Sequence, residues 1–315
     1  MQLTTGVFWT GTRQAQIGLD PRVGVSLTGL DLAEMQLVDS LTRPHTDAEL
    51  SARAKVAGIS PHRLRSILNT LTRAGVLDPD PSPRPDAIAS RRIHGTVPER
   101  MARHIHIHHA DYLGAGIGIG LARRGFGRIT TDDDAVVTYN DHPDMRRMGV
   151  GVDRRAAFKT LIRQENPHVF AGTRTSSPPD LAIVTGSFAT DPVTVGQYGA
   201  EHVSVYQAWI EEVDIYAGPL TIPHETACAN CLMLHRQEFD PNWRSLIQQA
   251  CATPALLPDI GAAMLATSLA LRDITEALDT GRVPHMWRVG PSPSPPAPVI
   301  LQPHPDCGCA GLAEG

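Results

Sequence analysis

The stretch HIHIHHADYLGAGIGIGLARRGFGRITTDDDAVVT, residues 104–138, decides the fold. Ile105 and Ile107 alternate with polar neighbours, the pattern of a strand. Residues 113–124 are small and apolar and read as a buried helix that Gly125 closes. Residues 129–137 return as a second strand. Strand, helix and strand at this spacing make a βαβ unit, the opening of a doubly wound sheet.

Gly114, Gly116 and Gly118 suggest a dinucleotide fingerprint, but their position argues against one. A phosphate loop needs bare backbone where the strand turns into the helix. That turn is at residues 109–114, and Asp111 within it would repel phosphate. The glycines fall inside the helix, where they permit close helix–sheet packing.

Outward from this unit, 315 residues allow one large or two modest domains. The net charge of −5 gives no general drive towards nucleic acid or acidic lipid. No apolar run reaches the length of a membrane span. The N-terminus lacks the basic and apolar regions of a signal peptide, which favours a cytoplasmic location.

Residues 1–79 form a first unit. Three short strands, around Val7, residues 13–19 and residues 23–27, precede three helices. Asp31 caps the first helix. Thr46 with Glu49 is a capping box for the second. Ser60 and Pro61 open the third, which carries Leu64, Ile67, Leu68 and Leu71 at helical spacing and stops at Gly75. The layout is a small winged-helix-like α+β domain. DNA binding is one reading of it, but Arg63, Arg65 and Arg73 are nearly balanced by acidic residues, so nucleic acid is not the expected partner.

Residues 80–100 are rich in Pro, Ser and Arg, a composition that predicts a linker or surface crossing. The second unit, residues 101–315, continues with helices over 153–164, 191–199, 243–252 and 259–278. Strands are expected near 180–185, 202–208, 286–289 and 298–302.

Four of the five cysteines form two close pairs, Cys228/Cys231 and Cys307/Cys309. A CxxC knuckle offers two thiolates from one turn, and a second pair completes a tetrahedral sulfur site that suits structural zinc. Two redox pairs are the competing reading, since a helix N-terminus near residue 227 could lower a thiol pKa. His224, His235 and His304 lie near the knuckles as substitute ligands or supporting groups. Cys251 reads as a small buried residue. His104, His106 and His108 share one face of the first strand. They read either as a metal or titrating cluster or, more simply, as a polar or edge-facing side of that strand.

VFWTGTRQAQIGLDPRVGVSLTGL, DLAEMQLVDSL, ISPHRLRSIL and LTRAGVLD in the first unit resemble a PqqD-like RiPP recognition element. That resemblance implies binding of a precursor's leader peptide by strand addition, with Val23, Val25, Leu27, Leu64, Ile67 and Leu68 forming the groove. The second unit resembles the ThiF/MoeB/ubiquitin-activating family. The carrying features are Gly125-Phe126-Gly127-Arg128, the acid cluster Asp132-Asp133-Asp134, Asn166-Pro167, Gly218-Pro219 and the terminal cysteine pair. GPLTIPHETACANCLMLHRQEFDPNW and HPDCGC look closest to the divergent branch of cyclodehydratase, or TOMM leader-peptide-binding, proteins.

The resemblance implies a Rossmann-like α/β fold with a tetracysteine zinc site. It also locates a degenerate nucleotide site: Asp133 at the ribose position, Asn140 at the Asn position, Arg155 where a Lys belongs, and Ser187 near the magnesium Asp. With several parts changed together, ATP and magnesium are not expected to bind. The implied function is a non-adenylating scaffold that presents a peptide to a YcaO-type cyclodehydratase. The long helix over 259–278 and the family's habit suggest a homodimer. An active adenylyltransferase acting on a carboxyl terminus, and a winged-helix DNA-binding regulator, stand as alternatives.

Overall fold

The structure is a computed structural model that describes residues 1–78, 85–94, 98–174, 176–291 and 293–309. The chain divides into two compact units, Met1–Pro98 and Glu99–Gly315.

In the first unit, β2 (Val7–Gly11), β3 (Gln14–Ile17) and β4 (Val25–Thr28) form a three-stranded antiparallel sheet, and β1 (Gln2–Leu3) pairs with β5 (Leu77–Asp78). Between β4 and β5 run α1 (Leu32–Ser40), α2 (Asp47–Val56) and α3 (Pro61–Arg73). Asp31 and Glu34 make a complete capping box for α1, as Thr46 and Glu49 do for α2. Ser60 caps α3 and Pro61 fills its first turn, where no amide partner is needed. Ile17, Val38, Leu41, Leu71 and Val76 are fully buried and form the centre of this core.

The expected linker over residues 80–100 falls partly outside the described residues. Within it, α4 (Pro85–His94) is a helix. The prolines that argue against regular structure end at Pro85, a position where a helix tolerates proline, and no proline follows before residue 98.

The second unit is built on an eight-stranded sheet. Its strands are β6 (His104–Ile107), β7 (Arg128–Thr130), β8 (Phe170–Gly172), β9 (Leu181–Ser187), β10 (Val205–Glu211), β11 (Asp214–Thr221), β12 (Met286–Val289) and β13 (Ala297–Val299). Their order is β13-β12-β11-β10-β9-β6-β7-β8. From β10 to β8 every pairing is parallel, and β11 to β13 add an antiparallel flank. The helices are α5 (Tyr112–Arg123), α6 (Pro143–Met148), α7 (Arg154–Glu165), α8 (Pro192–Ala200), α9 (Ala229–Phe239), α10 (Trp243–Cys251) and α11 (Ile260–Thr280).

The βαβ opening is β6, α5 and β7, and three of its four helical glycines, Gly114, Gly118 and Gly120, act by packing. A Cβ on Gly118 would lie 2.5 Å from the Phe158 ring, and one on Gly120 would lie 2.3 Å from Leu271. A Cβ on Gly114 would lie 1.9 Å from the His109 carbonyl oxygen, so only glycine lets the turn fold back on the helix. The second strand ends at Thr130, well short of residue 137. Beyond it the acid cluster leaves the sheet to make side-chain contacts, and only the isolated bridge Val136 to Asp153 continues.

Candidate functional site: a filled crevice and a tetracysteine cluster

After β6 the chain proceeds outward through β7 and β8, then returns to β9 on the other side of β6. This reversal creates a crevice beyond the ends of β6 and β9, where doubly wound folds bind ligands. Here the protein's own groups occupy it. Asp111 caps α5 by accepting from the Gly114 amide at 2.8 Å, and desolvation raises its carboxyl above the usual range. The Ala110 amide donates to Asp133 Oδ2 at 2.9 Å, and the Ala135 amide donates to Oδ1 at 3.0 Å. Two amides of this turn, Ala110 and Gly114, are therefore already paired with carboxylates rather than free for a phosphate.

Arg154 completes the filling. Its Nη1 donates to Asp133 Oδ2 at 3.0 Å, and its Nη2 lies 3.0 Å from Asp141 Oδ1. The side chains of Asp133 and Asp141 are 2% and 1% exposed, so this is a buried ion triad rather than a surface pair. Thr138 secures Asp141 further, donating from its amide at 2.6 Å and its hydroxyl at 3.1 Å.

The remaining positions implied by resemblance are likewise engaged. Asn140 Nδ2 donates to the Ala255 carbonyl at 2.7 Å, and Ser187 Oγ accepts from the Leu256 amide at 3.1 Å. The segment before α11 is thus tied to both. Asp133 meets the turn after β6 at Ala110, whereas Asn140 reaches the segment before α11. Arg155 lines a separate cleft beside β8, and its neighbour Arg154 is the residue that reaches Asp133. Sequence reasoning missed Arg154 and Asp141. Their signal was the Arg154-Arg155 pair behind a helix-capping aspartate, Asp153.

The histidine face is not an edge. β6 lies between β9 and β7, and its residues are buried. His104 Nε2 and His106 Nδ1 both meet the Thr130 hydroxyl, at 2.8 and 3.0 Å, and His108 Nδ1 lies 3.2 Å from the Tyr198 hydroxyl. One hydroxyl serves the first two rings by donating to one and accepting from the other. Burial holds His106 down to about 4 and pushes Tyr198 up to about 12. Among the described residues, these imidazoles do not converge on a metal position.

The paired cysteines do converge. Cys228 Sγ lies 3.8 Å from Cys231 Sγ and 3.3 Å from Cys307 Sγ, and Cys231 Sγ lies 3.3 Å from Cys309 Sγ. All four sulfurs fall within 4.8 Å of one another, close enough to hold a metal ion. Cys228 and Cys231 sit at the start of α9, and Cys307 and Cys309 arrive from the far end of the chain. Burial pushes Cys228 up to about 12. At Cys307 burial acts the same way but is outweighed by hydrogen bonds from Asn230 and neighbouring thiols, which bring it down to about 7. The His304 amide donates to Cys231 Sγ at 3.3 Å, and its ring meets Glu238 at 3.1 Å. His304 supports the cluster from outside it. Cys251 is exposed. It lines a cavity of about 850 Å³ between α8, α9 and α10, walled mainly by apolar groups such as Val195, Ile222, Met233 and Ile247.

In the first unit, Leu27, Leu64 and Ile67 are core residues, and Val25 and Leu68 pack partly buried against them. Val23 lies in the turn before β4 and is half-buried. Among the described residues β4 pairs only with β3, so its outer edge is unpaired there. Arg63 on α3 is bound to Glu34, Nε to Oε1 at 2.6 Å. That contact takes one cation away from any phosphate-binding face.

No protein-family model and no curated protein sequence matches the chain. Solved structures do match it. E. coli MccB with ATP is 13% identical at a TM-score of 0.61, covering 98% of this chain and 99% of that one. The microcin C7 biosynthetic enzyme MccB with N-formylated MccA is 12% identical, at the same score and coverage. PaaA is 13% identical at 0.60, covering 94% of this chain and 98% of that one. At this identity the likeness concerns architecture alone: the chain has the Rossmann-like fold of MccB and PaaA.

Proposed function

We propose that this protein is a peptide-binding scaffold of the ThiF/MoeB type that does not itself adenylate. One observation carries the reading. Both oxygens of Asp133, the carboxylate at the ribose position, are bonded to Ala110, Ala135 and Arg154. A nucleotide ribose would have to reach a carboxylate that is 2% exposed and whose Oδ2 is shared by the Ala110 amide and a buried guanidinium.

Peptide binding is supported by the neighbour MccB, whose structures include its peptide MccA. In this reading residues 1–79 are a PqqD-like recognition domain and residues 101–315 the ThiF-like domain. The leader peptide of a precursor adds as a strand along the unpaired edge of β4, over Val23, Val25 and Leu27. Leu68 contributes the flank, with Leu64 and Ile67 beneath as floor. The partner that receives the peptide is a YcaO-type enzyme, and the setting is cytoplasmic.

Cys228, Cys231, Cys307 and Cys309 hold zinc. Zinc–sulfur bonds of about 2.3 Å require sulfur–sulfur edges of about 3.8 Å; the Cys228–Cys231 edge is 3.8 Å, and the two edges of 3.3 Å would open slightly around the ion. With four protein ligands the ion is structural and offers no open position to substrate. Ile260, Met264 and Leu265 are exposed on α11 and form the face through which a homodimer assembles.

Calorimetric titration of the zinc-loaded full chain with Mg-ATP, alongside ATP–pyrophosphate exchange, tests the reading. No heat at millimolar nucleotide and no exchange are expected. Micromolar binding with exchange would overturn it and make adenylation of a carboxyl terminus the function.

A further inference from the structure

The cleft beside β8 has a composition the rest of the protein does not explain. It encloses about 580 Å³ and is lined by Arg155, Lys159 and Arg163 of α7 together with Phe170, Gly172 and Thr173. The three cations stand at i, i+4 and i+8 on α7, so they form one stripe along the helix. Among the described residues none of them makes a side-chain hydrogen bond or ion pair, and the Arg155 Nε atom is buried without a partner. The one carboxylate at the cleft, Asp153, is spent on capping α7 through the Ala156 amide at 2.7 Å.

Arg155 is also electrostatically misplaced. It sits in the first turn of α7, where the helix dipole disfavours a cation. Arg154, in the same turn, is compensated by Asp133 and Asp141, whereas Arg155 has no such acid. In a chain of net charge −5, three unpaired cations gathered around one cleft call for an anion from outside.

The rest of the cleft indicates the form of that anion. β8 is the last strand of the sheet and, among the described residues, pairs only with β7. Phe170, 49% exposed, adds an apolar ring over which the Arg128 guanidinium lies at 5.1 Å. A point anion such as phosphate would have no use for the ring or the strand edge. An extended peptide uses all three: carboxylates for the cations, an apolar side chain for Phe170 and backbone for the edge.

We propose that the cleft between α7 and β8 is a docking site for an extended acidic peptide segment, recognised by Arg155, Lys159, Arg163 and Phe170. The site is distinct from the edge of β4, and its test does not depend on whether the protein adenylates.

The experiment is fluorescence anisotropy of a short labelled peptide of alternating Glu and Val, titrated with the full-length chain. Binding is expected at low salt and should weaken at high salt. The triple variant R155Q/K159Q/R163Q should lose roughly tenfold or more in affinity, by the usual worth of charged contacts. Its melting temperature should be unchanged, because the side chains are unpaired. F170A, which leaves every charge in place, should weaken binding less. Retained affinity in the triple variant would overturn the proposal. So would failure of the peptide to bind the wild type, competition by pyrophosphate as effective as by unlabelled peptide, or tighter binding of a short DNA duplex than of the peptide.

Discussion

Arg154 Nη1 stands 3.0 Å from Asp133 Oδ2, in a crevice where the aspartate side chain is 2% exposed. The same guanidinium reaches Asp141 at 3.0 Å. One cation therefore neutralises two carboxylates that water cannot screen. Arg154→Ala would leave both acids buried and unpaired, and should cost about 3–5 kcal/mol in denaturant unfolding. Arg155→Ala, one residue along, should stay within about 0.5 kcal/mol. Equal effects of the two variants would remove the triad as a stabilising centre.

Gly114 and Gly116 lie one half-turn apart on α5 and should respond oppositely to alanine. At Gly114 the new Cβ meets a backbone oxygen at 1.9 Å, so the turn must move and about 2–3 kcal/mol should be lost. At Gly116 the nearest atom is 3.4 Å away. There the helix-propensity gain of up to about 1 kcal/mol should leave stability unchanged or slightly improved. Thermal melts of the two variants decide the matter.

Removal of the metal should act as partial unfolding. With zinc bound by the four cysteines, chelation or Cys231→Ser should release the segment around Cys307 from α9 and lower the melting temperature. Metal content should fall from one ion per chain to none. A metal-free wild type melting at the same temperature would count against a structural ion.

His106 gives stability a defined acid limb. Its folded pKa is about 4 against an ordinary 6.5, so the unfolded chain takes up the proton first. The stabilisation is complete above pH 6.5 and is lost as pH falls towards 4, by about 3 kcal/mol from this ring alone. His104 and His108 shift in the same direction for the same cause, burial. Unfolding free energies measured across this range should fall more steeply in the wild type than in His106→Gln.

Asn140 and Ser187 hold the segment before α11 by one hydrogen bond each. Ser187→Ala should cost about 1 kcal/mol locally and speed hydrogen exchange at the Leu256 amide. Exchange at α5 should not change, which separates loosening of the strap from global destabilisation.

Features encoded by short-range chemistry were legible in the sequence. The capping boxes at Asp31 and Thr46, the proline start of α3, and the packing role of the α5 glycines follow from neighbours a few residues apart. The convergence of Cys228, Cys231, Cys307 and Cys309 was legible because thiol pairs imply a shared partner. What depends on long-range placement was not. Arg154 and Arg155 have identical side chains about 100° apart around α7, and only the tertiary fold decides which faces Asp133. The alternation of the β6 histidines with isoleucine reads as a polar or edge-facing side of a strand. A central strand buries both faces, and Thr130 and Tyr198 supply the partners that make burial tolerable. β8 and α6 are too short to show periodicity.

Asp133 joins three segments that are distant in sequence: the turn at Ala110, the loop at Ala135 and the start of α7 at Arg154. The carboxylate has become a joint of the scaffold. Any ligand that claimed it would have to dismantle the joint, so selection for robustness and selection for ligand capture at this spot pull against each other. A substitution elsewhere in the crevice leaves Asp133 engaged while Arg154 remains, and removing Arg154 exposes the chain to unfolding. Such a crevice changes function by acquiring surfaces elsewhere on the molecule rather than by reopening.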